Sequence, residues 1–163
     1  MLRRRRFLAR TAAAVSSLSA SAWRLGSAHA AEAFEVSRSE AEWRKLLTPS
    51  QFAVLRQGAT ERPFTSALLN EHRRGVFTCA GCQLPLFSST TKFESGTGWP
   101  SFWAPLEHAV GEERDTSFGV VRTSVHCHRC GGHLGHVFDD GPKPTGLRYC
   151  INGVALGFAS QAA

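Results

Sequence analysis

Past its first residue, this 163-residue chain contains no methionine. Its first thirty residues contain no acid, although they hold Arg3, Arg4, Arg5, Arg6, Arg10 and Arg24. Beyond them there is no net charge, because thirteen basic residues face thirteen acidic ones. The formal balance of +6 therefore belongs to the leader. The body lacks the basic excess that nucleic acid or an anionic membrane would attract, so neither is expected as a partner. No apolar run approaches the roughly twenty residues of a membrane-spanning helix, so no stable insertion of the mature chain is expected. The strand-like runs of the second half have no helix-length periodic segments between them. That favours antiparallel pairing over βαβ units.

What the leader does contain is a basic start, Arg3 to Arg6, then an Ala/Ser-rich apolar run over 12–22, then Ala28-His29-Ala30. A small-residue A-x-A site after a short apolar run reads as a secretory signal cut after Ala30. Arg4-Arg5-Arg6-Phe7-Leu8 resembles a twin-arginine export signal, which implies delivery to the periplasm. The expected organisation is a signal over 1–30 and a single catalytic domain over 31–163, with helices within 39–58 and a metal-clamped β-core over 75–160.

In the first part of the body, Ser39 and Glu42 form a capping-box pattern ahead of Trp43, Leu46 and Leu47 at helical spacing. Thr48-Pro49 starts a second helix carrying Phe52, Val54 and Leu55, and Gly58 ends it. Residues 60–65 read as an extended connector. From Gly75 onward, glycine-rich turns alternate with β-branched and aromatic runs. Strands are expected over Val76–Cys79, Phe118–Cys127, His136–Phe138 and Arg148–Phe158, giving a mainly β fold.

Four of the five cysteines lie in two matched turns, Cys79-Ala80-Gly81-Cys82 and Cys127-His128-Arg129-Cys130. Two residues between thiolates let one tight turn offer both sulfurs to one ion, and two turns complete a tetrahedron. Four thiolates leave no open position, so the expected metal is a structural Zn²⁺. Disulfides or redox pairs are the competing reading. The long separation of the two turns means that the metal clamps distant hairpins rather than building a small ribbon.

The fifth cysteine sits in Gly146-Leu147-Arg148-Tyr149-Cys150-Ile151-Asn152, which reads as a strand. Alternation sets Arg148, Cys150 and Asn152 on one face and Tyr149 and Ile151 on the other. A guanidinium beside a thiol favours the nucleophilic thiolate. A buried core thiol is the alternative that this strand alone leaves open. Elsewhere, Ser95 to Trp103 is a rigid Gly/Pro loop carrying Trp99, and His133 and His136 stand three apart with no third ligand at an obvious spacing. Thiol chemistry with histidine partners suits this set better than a metal-dependent hydrolase. A zinc-organised binding module without catalysis is the remaining alternative.

Together the two clamps, Gly-Thr-Gly-Trp-Pro-Ser-Phe (96–102), Gly-His-Leu-Gly-His-Val-Phe-Asp-Asp-Gly-Pro (132–142) and Pro-Thr-Gly-Leu-Arg-Tyr-Cys-Ile-Asn (144–152) resemble the methionine-R-sulfoxide reductases, MsrB. The resemblance runs from about Ser39 to Phe158. It implies two antiparallel β-sheets with short N-terminal helices, a zinc ion on Cys79, Cys82, Cys127 and Cys130, and no organic cofactor. It implies Cys150 as nucleophile, His133 and His136 as pocket residues assisting protonation, Arg148 holding the thiolate and Asn152 hydrogen-bonding in the site. Trp99 and Phe138 would line the substrate pocket. Oxidised proteins would be the substrates, a thioredoxin-like protein or other external thiol the reductant, and the enzyme a monomer. Many family members carry a second, recycling cysteine where this chain has Thr97, and a serine where it has Gly153. A one-cysteine cycle is therefore expected. A body without methionine is compatible with an enzyme that repairs oxidised methionine.

Overall fold

The computed structural model describes residues 34–161, and the expected export signal lies outside them. Both predicted helices form. Helix α1 (Glu40–Leu46) and α2 (Pro49–Gln57) each open on a complete capping box, with Ser39 against Glu42 and Thr48 against Gln51. Each box satisfies amide hydrogens that a short helix would otherwise leave unpaired. Trp43, Leu47, Phe52, Val54 and Leu55 are buried. Leu46, read as part of the stripe, faces solvent, since a seven-residue helix buries one narrow side.

Nine strands follow: β1 (Gly75–Cys79), β2 (Pro85–Ser88), β3 (Lys92–Phe93), β4 (Ser101–Phe102), β5 (Val110–Asp115), β6 (Arg122–Cys127), β7 (His133–Phe138), β8 (Arg148–Ile151) and β9 (Leu156–Ser160). They build two antiparallel sheets, β2-β1-β9 and β3-β4-β8-β7-β6-β5. The core between them is aromatic. Phe87 stacks on Phe102 at 4.4 Å between centroids, Phe77 meets Phe102 edge-on at 5.0 Å, and Phe87 lies 5.9 Å from Tyr149. Phe77 and Phe87 belong to the small sheet, Phe102 and Tyr149 to the large one, so these rings hold the two sheets together.

Three strand expectations change. Arg148–Phe158 is not one strand but β8 and β9, which belong to different sheets. The break is chemical: the Glu61 carboxylate accepts the N–H groups of Gly153 and Val154, which therefore cannot continue a ladder, and Ala155 N–H closes a turn on Asn152. The run starting at Phe118 becomes strand only at Arg122, after a 3-10 turn over Ser117–Gly119. Strand β7 begins at His133, three residues before the expected start.

Candidate active site and metal centre

The four clamp sulfurs lie within 4.8 Å of one another, with Cys79 to Cys130 at 3.7 Å and Cys82 to Cys127 at 3.5 Å. A tetrahedral ion with zinc–sulfur bonds of about 2.3 Å sets its sulfurs about 3.8 Å apart, so the donor set and its spacing fit zinc. The two turns are built alike. Gln83 N–H bonds Cys79 O and Gly131 N–H bonds Cys127 O, and both residues adopt left-handed φ, 60° and 65°. Gly131 has a second reason to lack a side chain, because any Cβ there would run into the Phe34 ring. Hydrogen bonding with Cys127 pushes Cys79 and Cys130 up and Cys82 down. Four crowded sulfurs cannot share hydrogens evenly, and a dication removes that conflict by taking all four as thiolates. The helices brace this centre: Arg56 donates to Cys130 O at 2.9 Å, and the Trp43 ring lies beside the Cys79–Cys82 turn.

Cys150 opens into a cavity of about 120 Å³ lined by Trp99, Arg122, His136, Phe138 and Asn152. In the β7–β8 ladder His136 is the direct partner of Cys150. Antiparallel partners project their side chains to the same face, with Cβ atoms about 5 Å apart. His136 Nε2 is 2.8 Å from Asp115 Oδ2, and Arg122 reaches the same oxygen at 2.7 Å. Hydrogen bonds from Ser117 and then His136 hold the Asp115 carboxyl well below its usual range. An ionised carboxylate only accepts, so Nε2 carries a hydrogen and the imidazole orientation is fixed.

His133 is placed differently. Residues three apart on a regular strand face opposite ways. Here the pairing passes from Gly135–Val125 to His133–His126, leaving Leu134 as a bulge that restores the parity. The two imidazoles meet edge-on at 5.5 Å. His136 lines the cavity with Cys150, while His133 lines the adjoining cleft beside Asp115 and Ser124. Its Nδ1 faces Ser124 Oγ at 3.2 Å, its Nε2 is buried without a partner, and burial pushes it down to about 4. His133 is thus neutral at pH 7.

Arg148 is buried and clamped to Asp140 through Nε and Nη2, at 2.8 and 2.9 Å. Its guanidinium also covers the Phe138 ring at 4.4 Å. Arg148 pulls Cys150 toward the thiolate, as expected of a neighbouring guanidinium. Burial pushes the Cys150 thiol up, and the opposing pull of Thr97 and Arg148 does not offset it. Asn152 lies just beyond β8 and is buried; its Nδ2 donates to Leu134 O and its Oδ1 accepts from Glu61 N–H, both at 2.9 Å. Glu61 also receives the Trp99 indole N–H on its carbonyl at 3.2 Å.

The model of the SelR domain matches residues 47–160. A peptide methionine sulfoxide reductase MsrB of Leptospira interrogans is 52% identical over 129 residues, 78% of this chain and 98% of that protein. One of Bradyrhizobium diazoefficiens is 58% identical over 123 residues, covering 75% and 88%. One of Methanosarcina barkeri is 57% identical over 127 residues, covering 77% and 89%.

The chain belongs to the MsrB family. The mainly β, two-sheet architecture with a four-cysteine centre is the fold expected for an MsrB protein. What sequence reading missed at this MsrB site is its framework: Thr60, Glu61, Asp115, Arg122 and Asp140. Asp115 sits at the end of an edge strand with the charged sequence Val-Gly-Glu-Glu-Arg-Asp, which shows no alternation. Glu61 sits in a connector far from Asn152, so no spacing rule points to it.

Proposed function

We propose that this chain is a peptide-methionine (R)-S-oxide reductase whose nucleophile is Cys150. The observation that carries the reading is one cavity in which the only cysteine outside the metal centre faces His136 directly across the strand pair, with the Trp99 indole as a wall. In the net reaction the sulfoxide S–O bond breaks and Cys150 gains that oxygen. The thiol proton ends on the oxygen, two electrons pass from Cys150 to the substrate sulfur, and methionine leaves beside a sulfenic acid. Oxide leaves poorly until protonated, so a proton donor at the oxygen lowers the barrier. His136, held by Asp115 and lining the cavity beside Cys150, is the donor, because His133 stands in the adjoining cleft.

Trp99 supplies a wall for the S-methyl group, and the wrong epimer would place its oxygen against that wall without a donor. Two external thiols, from a thioredoxin-like protein or a small molecule, then return Cys150 to the thiol and release water. Zinc on Cys79, Cys82, Cys127 and Cys130 supplies folding free energy and takes no part in the chemistry. The substrates are oxidised proteins, and the twin-arginine-like leader over 1–30 directs the enzyme to the periplasm, where it acts as a monomer; a reporter fused to that leader and remaining in the cytoplasm would contradict the location.

The function is tested by turnover of separated R and S epimers of N-acetylmethionine sulfoxide with dithiothreitol. Reduction of the R epimer alone is expected. Equal reduction of both, or of neither, would overturn the reading.

A further inference from the structure

We propose that the polar cleft adjoining the catalytic cavity binds the polypeptide on one side of an oxidised methionine, and that Glu113 at its far end favours a basic side chain in that flank. This rests on the reductase reading of the cavity. The strand register carries the assignment. Cys150 pairs with His136, His136 with Ser124, and Ser124 with Glu113. Directly paired residues project to one face, so these four form a row across the large sheet on the side of the nucleophile. Strand β5 is the outer strand of that sheet, so the row ends at an edge.

The cleft follows this row. Its floor is Ser124, His133 and His136; Gly58 and Thr60, just after α2, line it on one side and residues 113–117 on the other. Thr60, Arg122 and His136 also line the cavity that holds Cys150, so cavity and cleft are continuous. The cavity, about 120 Å³, has room for one side chain. The cleft, about 670 Å³, has room for the chain that carries it. Thr60, Thr116, Ser117 and Ser124 bring hydroxyl groups to it, which suit a backbone with a donor and an acceptor in every residue.

Charge then selects within the flank. Asp115 is already engaged by Arg122 and His136, at 2.7 and 2.8 Å. Alternation along β5 sends Arg114 to the opposite face, with Glu112. Glu113 is exposed, and among the described residues nothing pairs with it. Three interstrand steps of about 4.8 Å put it about 14 Å from Cys150, the span of about four extended residues. A cationic side chain about three residues from the methionine is within reach of it.

The test measures kcat/KM with dithiothreitol as reductant, which removes any effect exerted through a protein reductant. The substrates are N-acetylmethionine-R-sulfoxide amide and R-sulfoxide peptides carrying lysine or glutamate at the third position before or after the oxidised residue. The variants are Glu113→Gln and Glu113→Lys. In the parent, lysine is expected to exceed glutamate about threefold on one side of the oxidised residue, the scale of one exposed ion pair. Glu113→Gln is expected to bring that ratio to about one, and Glu113→Lys to invert it. A parent without charge preference, or with an equal one on both sides, would overturn the cleft as the flank site, as would variants that keep the parent's ratio. So would a parent dimer that dissociates in Glu113→Lys, which would make this edge a contact between copies of the chain. A parent inactive even on the amide would instead overturn the reductase reading, and the role of the cleft with it.

Discussion

Thr97 Oγ1 lies 3.8 Å from Cys150 Sγ. The group that the Trp99 loop turns toward the nucleophile is therefore a hydroxyl, which forms no disulfide. The other four cysteines face one another in the metal centre. Once oxidised, Cys150 has no thiol partner within the chain. Thr97→Cys should supply one at the right distance. After one equivalent of substrate without reductant, peptide mapping should find the introduced thiol joined to Cys150. Cys150 left as sulfenic acid beside a free introduced thiol would contradict this.

Burial sets the resting state of Cys150, and Arg148 opposes it. The thiolate fraction rises with pH, so alkylation of Cys150 should accelerate toward a midpoint above that of an ordinary thiol. Arg148→Leu removes the favourable charge and leaves Asp140, itself largely exposed, without a partner. The midpoint should then move further up. Rates of iodoacetamide labelling against pH, followed by mass spectrometry of the Cys150 peptide, would show it. A midpoint that falls or stays would refute the balance described.

The metal centre joins β1 and β2 of the small sheet to β6 and β7 of the large one. Structural zinc contributes about 10–16 kcal/mol in zinc-finger peptides, as much as the whole stability of a domain. Cys130→Ser should therefore lose zinc and its cooperative thermal transition together. Cys150→Ser should retain both and lose turnover. Full zinc content and an unchanged Tm in Cys130→Ser would show that the clamp is not structural.

Glu61 ties three parts of the site together. Its carboxylate holds the backbone after Cys150, its N–H meets Asn152, and its carbonyl meets the Trp99 indole. Glu61→Ala removes the acceptor for two backbone N–H groups and frees the connector. A loss of about 2–3 kcal/mol in unfolding free energy is expected, the scale of hydrogen bonds to a charged group. A rise in KM should accompany it as Trp99 loosens. Unchanged stability and KM would contradict the role, and urea melts with steady-state kinetics decide it.

The parts of this protein that were legible in its sequence are those where chemistry is local. Ser39 with Glu42 and Thr48 with Pro49 read as helix starts because each signal lies within one turn. The two Cys-x-x-Cys turns read as a metal site because each presents two ligands from four residues. Longer relations were hidden. Alternation ran on through Asn152 to Phe158, and nothing nearby revealed that Glu61 would capture two amides and end the strand. His133 and His136 read as a pair, yet it is a bulge at Leu134 that turns both to one side. Asp115, the partner of His136, comes from an edge strand whose charged residues carry no apolar pattern. Arg148 beside Cys150 does pull toward the thiolate, but the burial that opposes it depends on the folded cavity and not on spacing.

The central claim is that Cys150 takes the oxygen and then waits for an outside thiol. It is tested most directly by a single turnover of the metal-loaded chain with one equivalent of methionine-R-sulfoxide and no reductant. The account predicts one methionine released per chain and a gain of one oxygen, mapped to Cys150 and trapped there by dimedone. No methionine released, or methionine released while Cys150 stays a free thiol, would contradict it.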